Sequence, residues 1–554
     1  MRITDHIDLF YPDGESRRRA AERRAKLRES GSRYIEDLKL EDIKRTVTLA
    51  GSERFIALAE ELSDEPEVIE YRLDCLEDFL RNPDLAQTFR KIIAELSGRR
   101  PDLDPESDES INAFFDIKVK MDDLSFFLSS IDEINRIYKR IGKTVRSKAM
   151  RGLFEFFGGL PQSTEFTEIA DCLKELNESF SKTIRSVKVG VNFDMNMTPD
   201  SAGILEISYD KIYPKGNILE RLVYGAVGDK EKFTGEEHLN SATRHTPADI
   251  DTALFRELSD YTREYAGRIA AALRSYRTSF FSDISELERQ LDYYEGAAAF
   301  VKSVRARGLP MCRPKLLPPE ERRTSLRGVF DLGFYRRVVG EDPRSVLTGR
   351  IVTNDVTLDS EAGFYLVTGA NNGGKTTLAR AVGVCQVMAQ AGLYVPAESA
   401  EISLCDCIFT HFPRDEKLGI DTSRFTTEIK ELKELICGVT DRSLVILNES
   451  LQSTTPEECM RIAEIHLELL AAAGVRGLYV THLTGLYDKA QELNGKGYRT
   501  KIDSLVSETG EGEQRLYKFE RRPPDGESFA YSIYRRFGAT FEDIRHGDRH
   551  GQEA

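Results

Sequence analysis

The sequence predicts a multidomain fold in which an α-helical core and lever region precedes an α/β domain built around a phosphate-binding loop. Three observations carry that expectation. At 554 residues the chain is long enough for several domains, each with its own buried core. Its first half returns apolar residues every three to four positions, whereas its last part contains short, largely apolar runs of strand length. One of these runs, Phe364-Tyr365-Leu366-Val367-Thr368, feeds a G-x-x-x-x-G-K-T turn that is followed at once by helix-forming residues from Leu378.

Composition narrows the setting. The formal net charge is −15, from 78 Lys and Arg against 93 Asp and Glu, so a contact with nucleic acid requires a local basic patch. No apolar run approaches the roughly 20 residues of a membrane span, and no apolar signal core follows Met1. A cytoplasmic chain without membrane contact is expected. The eight cysteines are scattered. Cys405 and Cys407 sit in an alternating stretch that reads as a β-strand, with no partners at metal spacing, which favours reduced structural thiols over a zinc site.

Residues 1–36 form a basic N-terminal segment. Arg17 to Arg28 is helix-permissive and rich in arginine, which suits either a solvated helix or a contact with nucleic-acid phosphates. Residues 37–162 read as a helical core domain, as in Glu67 to Leu80, interrupted by a polar loop at Arg99 to Pro105 and closed by Gly158-Gly159-Leu160-Pro161. Residues 163–310 read as lever helices with a small β insertion. There the period becomes two at Val187, Val189, Val191 and Phe193 and again, after Thr198-Pro199-Asp200, at Leu205, Ile207 and Tyr209. A long helical pattern then starts at Thr246-Pro247, with Thr as N-cap and Pro at the first helical position, and stops near Gly308-Leu309-Pro310. It reads either as a lever arm or as two or three helices joined at kinks. Residues 311–353 form a connector, and 354–554 the α/β domain.

The chemistry of that domain starts at its loop. Backbone N–H groups can wrap a triphosphate where side chains do not block the approach, and Gly369, Gly373 and Gly374 carry none. The helix N-terminus adds partial positive charge, and Lys375 and Thr376 are placed for the β/γ-phosphates and Mg²⁺. Binding of a nucleoside triphosphate, ATP with Mg²⁺, is therefore expected. Ser443 to Glu449 is a buried-strand run ending in polar Asn448 and Glu449, where a Walker B strand should stand, and Gly477 to His482 is another strand ending in His482. Strand, loop, helix, signature segment, Walker B and His-bearing strand follow the order used by ABC-type ATPases.

These residues also carry a family resemblance. Thr368-Gly369-Ala370-Asn371-Asn372-Gly373-Gly374-Lys375-Thr376-Thr377 resembles the T-G-x-N-x-G-G-K-[ST]-T loop of MutS proteins, and Met388 to Ala397 looks like the segment that follows it there. Ser423-Arg424-Phe425-Thr426-Thr427-Glu428 is similar to the family's S-x-F-x-x-E signature, and Thr481-His482 to its T-H switch. The resemblance runs from about Asn354 to Ile544, loosely at Asp525 to Ser532, and is weaker upstream. It implies a homodimer with two composite ATP sites and binding of DNA or another nucleic acid. Under it, Gly369 through Thr377 bind the nucleotide, Ser423 reaches the γ-phosphate in trans, Glu449 orients or deprotonates water, His482 senses the γ-phosphate, and Thr376 with Asn448 serves the metal.

Three departures qualify it. Asn448 stands where the family usually has Asp, which makes the partner of the metal shell a neutral amide. The chain starts close to the helical core, without room for an N-terminal mismatch-reading domain, and Phe10 to Glu15 lacks the family's Phe-x-Glu wedge. The clamp is reduced to the Val187 to Tyr209 strands and the loop after them, where Lys182, Arg185, Lys188, Lys211 and Lys215 are offset by Asp194, Asp200, Glu206 and Asp210. The leading expectation is a MutS-like ATPase whose arms hold or release DNA, mismatch reading aside. An ATP-gated scaffold for a protein or ribosomal partner is the alternative, and the signature segment argues against a metabolic kinase.

Overall fold

The computed structural model describes residues 7–48, 52–98, 113–174, 186–208, 280–342, 347–413, 424–451, 455–510 and 514–524, apart from positions 165, 169, 172, 196, 198 and 348. Its helices in chain order are α1 (Gly14–Glu29), α2 (Tyr34–Asp37), α3 (Leu40–Thr48), α4 (Ser52–Glu61), α5 (Pro66–Arg81), α6 (Arg90–Gly98), α7 (Ala113–Ile141) and α8 (Lys148–Gly159). They continue with α9 (Phe280–Ala306), α10 (Leu332–Glu341), α11 (Lys375–Gln390), α12 (Arg424–Gly438), α13 (Pro456–Ala473) and α14 (Leu486–Asn494). Two compact units form. The described residues of Gln87–Gly142 and Gly152–Glu288 make one, and those of Ile7–Ala86, Lys143–Arg151 and Arg289 onward make the other.

The first unit is helical with one β ribbon. Tyr138 of α7 stacks on Phe154 of α8 with ring centroids 4.8 Å apart, and Phe89 packs against Phe154 and Phe157 at 5.1 and 6.2 Å. Such aromatic pairs give a large buried area with a preferred geometry. β1 (Ser186–Phe193) and β2 (Pro199–Ser208) pair antiparallel, with Val187 opposite Ile207 and Lys188 opposite and ion-paired with Glu206. The two expected strands are thus one ribbon. Pro199 opens β2 instead of lying in the connecting turn, a position where its missing N–H costs little. The Lys188–Glu206 pair also removes one of the positive charges counted there for nucleic acid.

α9 ends at the expected Gly308 stop, while the upstream part of that helical pattern, from Thr246, lies outside the described residues. The polar loop at Arg99 to Pro105 does too.

In the second unit, α1 is a docked helix, and Arg19, Arg23 and Arg28 on it are paired within the chain. Arg19 meets Glu65 at 2.6 Å, Arg23 meets Asp64 at 2.6 Å and donates to the Asp406 carbonyl, and Arg28 meets Glu60 at 2.6 Å. Deeper, the wholly buried Arg72 bridges Glu61 at 2.7 Å and donates to the Phe10 carbonyl, and Tyr11 donates to the other Glu61 oxygen at 2.6 Å. A buried ion pair is tolerated because these hydrogen bonds supplement it.

The core of this unit is a six-stranded sheet in the order β12-β11-β6-β10-β9-β8. Its strands are β6 (Phe364–Thr368), β8 (Ile408–His411), β9 (Leu444–Asn448), β10 (Arg476–Val480), β11 (Ile502–Thr509) and β12 (Arg515–Arg521). All neighbours run parallel except the β11–β12 pair. β6, β9 and β10 are buried at every position, which explains the apolar runs 364–367, 444–447 and 477–480 within them. A second sheet has the order β3-β7-β4-β5, made of β3 (Lys315–Leu317), β4 (Thr324–Val329), β5 (Asn354–Leu358) and β7 (Ser399–Ser403).

One expectation is corrected here. Cys405 and Cys407 lie in the connection between β7 and β8, not in a strand. The reason is a side chain that replaces ladder bonds: Gln390 of α11 accepts from the Cys405 N–H at 3.1 Å and donates to its carbonyl at 3.0 Å. Both thiols are buried and free, and among the described residues no cluster of His, Cys, Asp or Glu could hold a metal ion. Among them, too, no helix is long and apolar enough to cross a membrane.

Candidate phosphate-binding site

Strand register decides which residues meet. Val480 of β10 pairs with Val367 of β6 on one side and with Asn448 of β9 on the other, so the three strands end flush. The residues that follow them, the Gly369 loop, Glu449 and Thr481-His482, therefore emerge together at the carboxyl edge of the parallel strands, where open α/β sheets form their crevice. A cleft of about 1280 Å³ opens there, lined by Asn371 through Leu378 along with Glu449 and His482.

The loop is shaped by two backbone positions that reject a side chain. Gly369 has φ 118°, and a Cβ there would stand 2.1 Å from Ser507 Oγ of β11. Gly374, with φ 88°, is the N-cap of α11 and supplies no capping side chain, which leaves the first-turn N–H groups facing the cleft. Asn372 adopts φ 58°, a left-handed conformation that Asn accepts more readily than most residues. Ala370 is buried beneath the loop, and Asn371 and Thr377 line the cleft.

Lys375 is buried, and its ammonium donates to the Gly369 and Ala370 carbonyls, both at 3.0 Å. Burial lowers its pKa below the ordinary lysine value, opposed by the nearby Glu449 charge. An anion in the cleft would offset that desolvation. Thr376 Oγ1 donates to Asn448 Oδ1 at 2.8 Å, so its lone pairs remain available to a cation. Next in sequence, Glu449 adopts φ 50° and its carboxylate meets His482 Nε2 at 2.9 Å.

Ser423 lies outside the described residues. The helix that follows it, α12, reaches back to the Walker B turn through Glu428, which accepts from the Leu451 N–H at 2.7 Å.

Several participants are invisible to motif reading. Ser507 backs the loop, and its buried hydroxyl has no hydrogen-bond partner. Asn354, at the start of β5, donates to the Tyr517 carbonyl at 3.0 Å and accepts from the Phe519 N–H at 3.1 Å. That clamp holds Tyr517 at φ 55° and sets both aromatic residues on the cleft wall near Gly374. A polar residue at an inward position of the alternating strand Asn354–Leu358 was the available signal for Asn354; nothing local marks Ser507, Tyr517 or Phe519.

The donor set fits a triphosphate with its metal. It offers an uncapped helix start, a buried ammonium, glycines where a Cβ would clash, and a paired hydroxyl and amide.

Residues 365–520 match the model of MutS domain V, and residues 64–307 match that of the MutS2 N-terminal domain. The chain is 26% identical over 483 residues to a DNA mismatch repair protein MutS of Clostridium kluyveri, covering 82% of this chain and 52% of that protein. Over 185 residues it is 35% identical to the DNA mismatch repair protein MutS of Myxococcus xanthus, covering 33% of this chain and 20% of the relative. It is 30% identical over 226 residues to the Endonuclease MutS2 of Thermus thermophilus, covering 39% of this chain and 29% of the relative. The chain thus spans about half or less of the length of these curated relatives.

Proposed function

Because the chain belongs to the MutS family, with a MutS domain V behind a MutS2-type N-terminal domain, we propose that it is an ABC-type ATPase whose ATP cycle clamps and releases DNA. The observation that carries this reading is the meeting of Lys375, Thr376, Glu449 and His482 in one cleft at the sheet edge. Gly369 through Thr377 hold the phosphates, the backbone N–H groups and the Lys375 ammonium facing their charge. Tyr517 and Phe519 line the cleft and would offer their rings to the nucleoside.

Thr376 and Asn448 would hold Mg²⁺, the first by its hydroxyl and the second through the hydrogen bond that orients that hydroxyl. When bound, the ion neutralises phosphate charge. Glu449 orients or deprotonates the attacking water, and His482, bonded to its carboxylate, senses the γ-phosphate. Ser423 of a second copy completes each site, which makes the homodimer the unit of function. Binding energy gained at the γ-phosphate is spent on moving the helical arms.

Two measurements test this. Glu449→Gln should retain ATP and lose hydrolysis by about 100-fold or more, in the range of a lost general base. Hydrolysis unaffected by that change would remove Glu449 from the mechanism. DNA binding should weaken steeply as salt rises, as phosphate contacts require.

A second reading, an ATP-gated scaffold for a protein or ribosomal partner, is favoured by the net charge of −15 and by the internal pairing of Arg19, Arg23 and Arg28. Absence of binding to duplex, branched and mismatched DNA at low salt, with and without ATP, selects it.

A further inference from the structure

The Walker B turn holds a conformation that its own residues resist. Glu449 and Leu451 both lie in the left-handed region, at φ 50° and 71°, with Ser450 between them. Non-glycine residues stay there when their surroundings over-determine the backbone, and such sites cluster where function needs pre-organisation. Here the surroundings can be named. The Leu451 N–H donates to Glu428 Oε1 at 2.7 Å, and Ser450 Oγ is hydrogen-bonded to His411 Nδ1 at 2.7 Å. The Glu449 N–H donates to the Val480 carbonyl at 2.8 Å. Glu428, His411 and Ser450 are all buried.

These partners come from elsewhere than the phosphate loop. His411 ends β8, the neighbour of β9, while Glu428 stands on α12 one turn before Glu431, whose carboxylate lies 3.6 Å from His411 Nε2. Burial lowers the His411 pKa, in keeping with a neutral ring that serves as a fixed hydrogen-bond partner. α12 and β8 therefore grip the turn from the side away from His482.

We propose that Glu428 and His411 are positioning residues for Glu449: together they lock the Glu449-Ser450-Leu451 turn and aim its carboxylate at His482 and the phosphate loop. The inference rests on the reading of Glu449 as the group that handles water. Neither residue touches the cleft, so their loss should reduce turnover without reducing nucleotide affinity. The chemistry also separates two variants. Glu428→Gln keeps an oxygen that can accept from Leu451, whereas Glu428→Ala leaves a buried N–H unpaired.

The test uses the full chain. Glu428→Ala should lower the rate of ATP hydrolysis at saturation tenfold or more, leave affinity for a fluorescent ATP analogue within threefold, and speed amide hydrogen exchange at Leu451 without nucleotide. Glu428→Gln should restore all three to within threefold of wild type. His411→Asn, whose amide can reach Ser450, should be milder than His411→Ala. Equal slowing by the Gln and Ala variants, unchanged Leu451 exchange in Glu428→Ala, or hydrolysis untouched by it overturns the proposal. Should Glu428→Ala fail to fold, Ser450→Ala decides, because it deletes the His411 contact alone: slowed turnover supports the proposal and wild-type turnover overturns it. A wild-type chain that hydrolyses no ATP overturns this proposal and the ATPase reading together; hydrolysis indifferent to these substitutions overturns the positioning role alone.

Discussion

Gly369→Ala would put a Cβ 2.1 Å from Ser507 Oγ, 3.0 Å from the Ser507 backbone nitrogen and 3.1 Å from its Cβ, at φ 118°. The positive φ costs an alanine roughly 1–2 kcal/mol. The overpacking adds about 1–3 kcal/mol, because Ser507 lies in a paired strand and cannot withdraw freely. Together the phosphate-ready loop should lose about 2–5 kcal/mol, which lowers apparent ATP affinity from about 30-fold to several thousand-fold. The assay is titration with a fluorescent ATP analogue across a double-mutant cycle with Ser507→Gly. That second change removes the hydroxyl and Cβ contacts and leaves the φ strain, so it should recover about 1–3 kcal/mol of the loss. Near-wild-type affinity in Gly369→Ala, or a cycle with no coupling, would refute the reasoning about the loop.

Asn448→Asp places a carboxylate beside the Thr376 hydroxyl, so the Mg²⁺ concentration needed for half-maximal hydrolysis should fall and turnover should rise. If neither moves, the neutral amide is not what limits the site. Asp37 gives a pH dependence: burial pushes its carboxyl from 3.8 up to about 6, against the lowering effect of the Thr410 hydrogen bond. A raised carboxyl stabilises fully below 3.8 and loses that contribution as pH rises through about 6, so Asp37→Asn should stabilise the fold at pH 7.5 by up to about 3 kcal/mol. Thermal melts should show this gain at pH 7.5 and none at pH 4, and a gain independent of pH would contradict the cause assigned.

Much of the site was legible because it is contiguous. Gly369 through Thr377 carry the loop, the helix start, the ammonium and the hydroxyl in nine consecutive residues, and backbone chemistry near a phosphate demands those types at that spacing. The buried strands before Glu449 and His482 were legible for a similar local reason, since strands covered on both faces read as apolar runs. The arginines of α1 were not. Their spacing suits a solvated or phosphate-binding helix, and the carboxylates that occupy Arg19, Arg23 and Arg28 lie dozens of residues away. The alternation around Cys405 suggested a strand, yet the Gln390 side chain diverts that backbone from a ladder.

Sequence alone determined that the chain has a glycine-rich loop of phosphate-binding form, with Asn448 and Glu449 closing one apolar strand and His482 following another, because each is a property of neighbouring residues. Tertiary structure decided what those pieces form. The pairing of Val480 with both Val367 and Asn448 brings three separate strand ends level, and with them the phosphate loop, Glu449 and His482. It also placed Ser507 behind Gly369, Asn354 under Tyr517, and Glu428 and His411 around the Walker B turn. Those contacts join positions tens to more than a hundred residues apart, and strand register and side-chain packing, which no local pattern encodes, set each of them.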